Sequence, residues 1–170
     1  FFSRELLTCA CEFCRFASNV RMLATPRCWA EVDLDALRQN LAWIRHQAGL
    51  DTQIMTIVKA DAYGHGLKQI AALLMQGGTD IFGVANLTEA RAIRGVGKGW
   101  PILMLGACLP DEIDAAIREK VTATISSLDE AAAFSIAAVR LKRVAKAHLK
   151  VDTGMGRLGA RPDAIPGLVE

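Results

Sequence analysis

The chain is poor in the features that mark a nucleic-acid binder, a membrane protein or a disulfide-stapled domain. Aromatic residues make up 6% of its 170 residues, and only one is a tyrosine. The net charge is only +2, and no cluster of Lys and Arg is interleaved with aromatics, which argues against a nucleic-acid partner. No apolar run approaches the ~18 residues of a membrane span, so no membrane partner is expected. Residues 6–11 are apolar but closed off by Glu5 and Glu12, a core too short for a signal peptide, and the cytoplasm is the expected location. The five cysteines are an odd number, which fits a reducing compartment better than a disulfide framework. Cys9, Cys11 and Cys14 crowd one end without a nearby fourth Cys or His, so no metal site is expected.

What is present is a regular alternation. Hydrophobic residues are 52% of the chain, ample for a core. Residues 28–33 read as a strand, and 34–48 as a helix with Leu34, Leu37, Leu41 and Ile44 on one stripe. Residues 53–58 are apolar and partly β-branched, the pattern of a strand buried on both faces, and a helix is expected over 67–75. Strands at 80–85, 101–105 and 121–126 alternate with helices at 87–93, 111–117 and 128–139, and a sixth strand follows at 144–151. Helix starts are signalled at Pro110-Asp111 and at Ser127 ahead of Asp129 and Glu130, where acidic residues suit the positive helix end. The fold class is therefore α/β, in about six β/α units without a Gly/Pro/Ser linker between them.

Chemistry concentrates at the end of the second strand, in Val58-Lys59-Ala60-Asp61-Ala62-Tyr63-Gly64-His65-Gly66. Gly64 and Gly66 break the strand before the helix resumes. A lysine at this junction is half-desolvated, and desolvation favours the neutral amine needed by a base or an imine former. Tyr63, four residues on, stands on a turn at a helix start, where anions are favoured. His65 reads as a turn residue and is left out of the site.

This nine-residue stretch resembles the pyridoxal 5′-phosphate attachment motif of the alanine racemases. His148-Leu149-Lys150-Val151-Asp152-Thr153-Gly154-Met155-Gly156-Arg157-Leu158-Gly159 resembles a later motif of the same family, and Trp29-Ala30-Glu31-Val32-Asp33-Leu34-Asp35-Ala36-Leu37 is similar to its first strand and helix start. The resemblance covers roughly residues 27–159 and implies a TIM (β/α)8 barrel. Such a barrel needs eight strands and about 250 residues, so the expectation is an incomplete barrel over residues 26–170. Residues 1–25 are expected to be a disordered or non-native tail, and the carboxyl-terminal β domain to be absent. On length alone, a free-standing doubly wound sheet competes with the barrel.

The resemblance also implies roles. Lys59 is the catalytic residue, holding pyridoxal phosphate as an internal aldimine and acting as one of two bases at the substrate α-carbon. Tyr63 binds the cofactor phosphate. Arg157 binds the cofactor's phenolic oxygen and orients the substrate carboxylate, and Lys150 is a position that some members carbamylate. The second base is a tyrosine of the partner subunit's β domain, so the full-length protein is expected to be a homodimer and this chain alone inactive. The expected activity is interconversion of L- and D-alanine for peptidoglycan precursor supply. Alternatives are an amino-acid decarboxylase or a non-catalytic cofactor carrier on the same barrel; the wording of residues 61–66 argues against the carrier. A dinucleotide-binding module is a third, because Gly154, Gly156 and Gly159 fit G-x-G-x-x-G. That fingerprint normally follows the first strand of a unit and has an acidic residue about 20 positions on, neither of which holds here.

Overall fold

The computed structural model of the chain describes residues 30–169. Helix α1 (Leu34–Ala48) leads into strand β1 (Met55–Ile57), the one-turn α2 (Lys59–Gly64) and α3 (Leu67–Gly77). Then come β2 (Ile81–Val84), α4 (Leu87–Val96), β3 (Ile102–Met104), α5 (Ile113–Arg118), β4 (Ala123–Ile125), α6 (Leu128–Leu141), β5 (Ala147–Leu149) and the short α7 (Pro166–Val169). The helix starts are made by short polar caps: Asp33, Asn86 and Ser127 each accept a backbone N–H from their helix's first turn.

All pairings are parallel. β1, β2 and β3 form one ladder and β4 and β5 another. The two are joined where Met104 N–H donates to Thr122 C=O and Thr122 N–H to Ile102 C=O, each at 2.9 Å. The Thr124 hydroxyl adds a 2.7 Å bond to the Met104 carbonyl. Spatial order thus equals sequence order from β1 to β5. A doubly wound sheet needs a point where the order reverses. None occurs among the described residues, and this winding is that of a barrel wall.

The helices cover one side of this wall. Phe82, Val84, Ile102 and Met104 project under them, all at most 1% exposed, with Leu87 and Ile93 of α4 packed alongside. Phe82 meets Trp100 edge-on with ring centroids 5.9 Å apart. Burying each such side chain contributes roughly 1.5–3 kcal/mol. The other side belongs to Met55, Ile57, Gly83 and Leu105. A Cβ on Gly83 would come within 2.4 Å of the Ile57 Cδ1, so a larger residue there would push the tip of that side chain aside.

Several expectations are corrected here. β1 is not buried on both faces, because Met55 and Ile57 are 36% and 37% exposed. Nothing among the described residues packs over them, and an apolar run reports only the potential for burial. No strand forms over residues 30–33, which lead directly into the Asp33 cap; residues 28 and 29 of that expected strand, and the tail expected over residues 1–25, lie outside the described residues. Five strands are therefore described where six were expected. Each is shorter than its apolar run, because the flanking residues turn toward loops.

Candidate functional site

Lys59 lies where β1 gives way to α2, and the backbone there is unusual. Val58 N–H still pairs with Gly83 C=O at 2.9 Å, continuing the ladder one residue beyond the strand. From Ala60 to Tyr63 four consecutive residues then have φ between 52° and 57°. These residues form a left-handed turn, a conformation costing about 1–2 kcal/mol per L-residue. Such strain persists only where surrounding contacts over-determine it.

Those contacts are visible. Ala62 N–H reaches back to Val58 C=O and Gly66 N–H to Asp61 C=O. The Asp61 carboxylate accepts Leu67 N–H at 2.7 Å and so caps α3 from six residues upstream. His65 Nδ1 donates to Ala62 C=O at 2.8 Å, the turn-forming role expected of it. Glu89, on α4, closes the arrangement: one carboxylate oxygen accepts Ala60 N–H at 2.7 Å and the other Ala85 N–H at 2.8 Å. Lys59 is half-buried on this braced turn. Tyr63 is 59% exposed, and no partner for its hydroxyl is found among the described residues.

A second loop follows β5 at the same end of the sheet. Lys150 is half-buried, and its N–H bonds to Ile125 C=O at 2.9 Å. Asp152 folds its carboxylate onto the loop, taking Gly154 N–H at 3.0 Å and Gly156 N–H at 2.9 Å. Those two donors, the first above all, hold its pKa below the usual aspartate value. Asp152 N–H and Ala160 N–H tie the loop's two ends together, at 2.8 Å each. Gly159 is required by this closure: its φ is 117°, and a Cβ would stand 2.7 Å from Asp152 N. Arg157 is exposed on the loop.

The G-x-G-x-x-G spacing therefore has a local explanation. The N–H groups of Gly154 and Gly156, which a phosphate would need, are already given to Asp152. Likewise the first free amide of α3 is given to Asp61, so the Tyr63 hydroxyl, not that amide, is the donor left for an anion at this turn.

Lys59 and Tyr63 thus share one turn, and Lys150 and Arg157 one loop, both loops at the carboxyl ends of the strands. Four strand steps separate them, about 19 Å along the sheet at ~4.8 Å a step. A groove of about 680 Å³ between α1 and β1 runs up to the turn beside Lys59, touching Val58, Ala62, Tyr63 and His65. It is lined by Leu37, Leu41, Ile44, Met55, Ile57 and Tyr63 among others, but by neither lysine nor Arg157. It is a largely apolar gap that meets the constellation at Tyr63 and does not reach Lys150 or Arg157.

Sequence reasoning missed Glu89, Asp61 and Asp152 as organisers of the two loops. For Glu89 a signal existed, since Asn86-x-x-Glu89 is a capping-box pattern. Among the described residues no group of three or more His, Cys, Asp and Glu is placed to hold a metal.

Comparison with known proteins agrees with this architecture. The family of the alanine racemase N-terminal domain matches residues 32–170. The alanine racemase of Desulforamulus reducens is 42% identical over 142 residues, covering 84% of this chain and 38% of that protein. The structure of the Clostridium difficile 630 alanine racemase superposes with a TM-score of 0.76 at 36% identity, over 80% of this chain and 36% of that one. A histidine racemase from Leuconostoc mesenteroides superposes with a TM-score of 0.74 at 29% identity, over 80% of this chain and 37% of that one. This chain therefore spans a little over a third of the length of the relatives it matches. With its parallel wall wound in sequence order and its motif lysine at a strand's carboxyl end, the chain belongs to the alanine racemase family, matching the family's N-terminal, TIM-barrel-type domain.

Proposed function

We propose that this chain is the cofactor-binding part of a pyridoxal 5′-phosphate-dependent racemase that interconverts L- and D-alanine. The observation that carries the reading is Lys59, half-buried on a braced left-handed turn at the carboxyl end of its strand. Active sites of barrel enzymes are built at that end.

The residues present suit the cofactor. Lys59 offers an amine held by a rigid backbone, Tyr63 an exposed hydroxyl four residues away, and Arg157 a planar guanidinium on the facing loop. Once bound, pyridoxal phosphate would supply an electron sink for the bond broken at the substrate α-carbon. The chain's own part is to anchor that group at Lys59, bind its phosphate through Tyr63 and orient the substrate carboxylate through Arg157. The Lys59 amine would also take or return the α-proton on one face of the substrate. Lys150 lies close enough to Asp152 to lower its pKa, and its half-buried side chain is the position at which carbamylation, by adding carbon dioxide to the neutral amine with loss of a proton, would give the anionic carbamate that braces Arg157.

Bringing Arg157 within reach of a group anchored at Lys59 requires the sheet to curl, since 19 Å along its surface exceeds the length of the cofactor. The proposal therefore includes closure of the barrel by further strands of a longer protein, residues 26–170 supplying part of it. It also includes a homodimer in which a tyrosine of the partner's β domain is the second base, so that the 170-residue chain alone is inactive. D-alanine supply for peptidoglycan precursors, and the cytoplasm as its place, belong to the same reading.

Incubating the purified chain with pyridoxal phosphate, reducing with borohydride and mapping the labelled peptide tests the assignment. Label confined to Lys59 is expected. Label spread evenly over surface lysines would overturn the cofactor reading, and sustained alanine racemisation by this chain alone would overturn the need for a second base.

A further inference from the structure

The α4 and α6 helices begin with the same device. Asn86 caps α4 by accepting Glu89 N–H at 2.9 Å, and Ser127 caps α6 by accepting Glu130 N–H at 3.2 Å. In each, the glutamate turns back to accept the N–H of the residue before the cap: Glu89 from Ala85 at 2.8 Å, Glu130 from Ser126 at 2.6 Å. The two caps differ in one respect. The second carboxylate oxygen of Glu89 also takes Ala60 N–H at 2.7 Å, across 29 residues of sequence.

Ala60 follows Lys59 directly and opens the left-handed run. The turn's own backbone bonds begin only at Ala62 N–H, so Glu89 supplies the acceptor that Ala60 needs. A carboxylate can accept both amides at once, and bonds to a charged acceptor are the stronger kind. The strained turn is thereby fastened to the neighbouring strand–helix junction.

We propose that Glu89 is the positioning residue for Lys59, tying the left-handed turn that carries the lysine to the mouth of the adjacent strand. The proposal rests on the reading of Lys59 as the cofactor's attachment point, but its structural part can be tested without the cofactor. Glu89→Gln preserves size and leaves one acceptor oxygen, which the nearby Ala85 amide of its own cap retains, so the distant Ala60 amide loses its partner. Glu130→Gln removes the same charge from the sister cap and is the control.

In Glu89→Gln the amide of Ala60 should exchange with solvent about tenfold faster, the factor expected from losing one bond to a charged acceptor. Labelling of Lys59 by pyridoxal phosphate and borohydride should slow about tenfold, with labelling of Lys150 unchanged. Glu130→Gln should leave both Lys59 readouts within twofold of the original chain. Unchanged Ala60 exchange in Glu89→Gln, or equal slowing of Lys59 labelling in both variants, overturns the proposal. If the original chain shows no preference for Lys59, the cofactor reading falls, and Ala60 exchange alone still decides whether Glu89 holds the turn. Should Glu89→Gln fail to fold, Glu89→Asp retains the charge but is one methylene too short to bridge both amides, and it gives the same comparison.

Discussion

Apart from Asp80, which takes Ile54 N–H at the amino edge, the two ends of the sheet are held by opposite charges. At the amino ends of the strands, guanidinium groups gather backbone carbonyls: Arg45 takes those of Thr52 and Gly78 and pairs with Asp80, Arg94 takes those of Trp100, Glu119 and Lys120, and Arg143 that of Arg118. At the carboxyl ends, carboxylates gather backbone N–H groups: Asp61, Glu89, Glu130 and Asp152 each do so. The wiring explains the division. In parallel β/α units the helices run back along the strands, so their free N–H groups and positive dipole ends collect at the carboxyl edge and their free carbonyls at the other. Lys59, Lys150 and Arg157 are therefore cations placed at the positive end. Stability does not favour them there, whereas binding of an anionic group would.

The largest effect is expected at the amino edge. Arg94→Ala deprives three carbonyls of their donor and should lower stability by about 2 kcal/mol, read by urea denaturation. Lys59 labelling should persist in that variant under native conditions; loss of labelling there would break the division between an edge for stability and an edge for chemistry.

A smaller effect of opposite sign is expected at the carboxyl edge. Ala60→Gly relieves one left-handed residue, about 1–2 kcal/mol, against roughly 0.5–1 kcal/mol of added flexibility in the unfolded chain. Net stability should rise by up to about 1 kcal/mol while Lys59 labelling slows. A variant that loses stability would show that the turn is not strained.

The smallest effect is a local one in acid. Asp152 has a pKa depressed below the usual 3.8 by the Gly154 and Gly156 amides, so the order it confers is complete above that value. It fades as pH falls through the lower folded value. Amide exchange at Gly154 and Gly156, corrected for its intrinsic pH dependence, should lose protection there, and Asp152→Asn should show weaker protection at neutral pH. Asp80, depressed chiefly by the Ile54 N–H and then by Arg45, should behave likewise at the opposite edge.

Much of this was legible in the residues. The motif around Lys59, the alternation of units and the Ser127 helix start all rest on local patterns, and the structure places a helix start at Leu128 and the lysine at its strand's end. The strand at residues 53–58 was misread in its burial, because Met55 and Ile57 look the same in sequence whether or not another segment covers them. The left-handed turn was illegible for a different reason: Ala60 and Ala62 carry no hint of positive φ. The capping role of Glu89 was legible, but its bond to Ala60 was hidden because that partner lies 29 residues away.

Residue order by itself determined the period of the elements, their caps and the chemistry on offer at Lys59, Tyr63, Lys150 and Arg157, since each of these depends on neighbours within a few positions. The tertiary structure alone decided the order of the strands, the left-handed turn and the sharing of one carboxylate between Ala60 and Ala85. Strand order and the shared carboxylate need groups distant in sequence to meet, and the folded sheet adds the Glu89 bond to the local bonds that hold the strained turn.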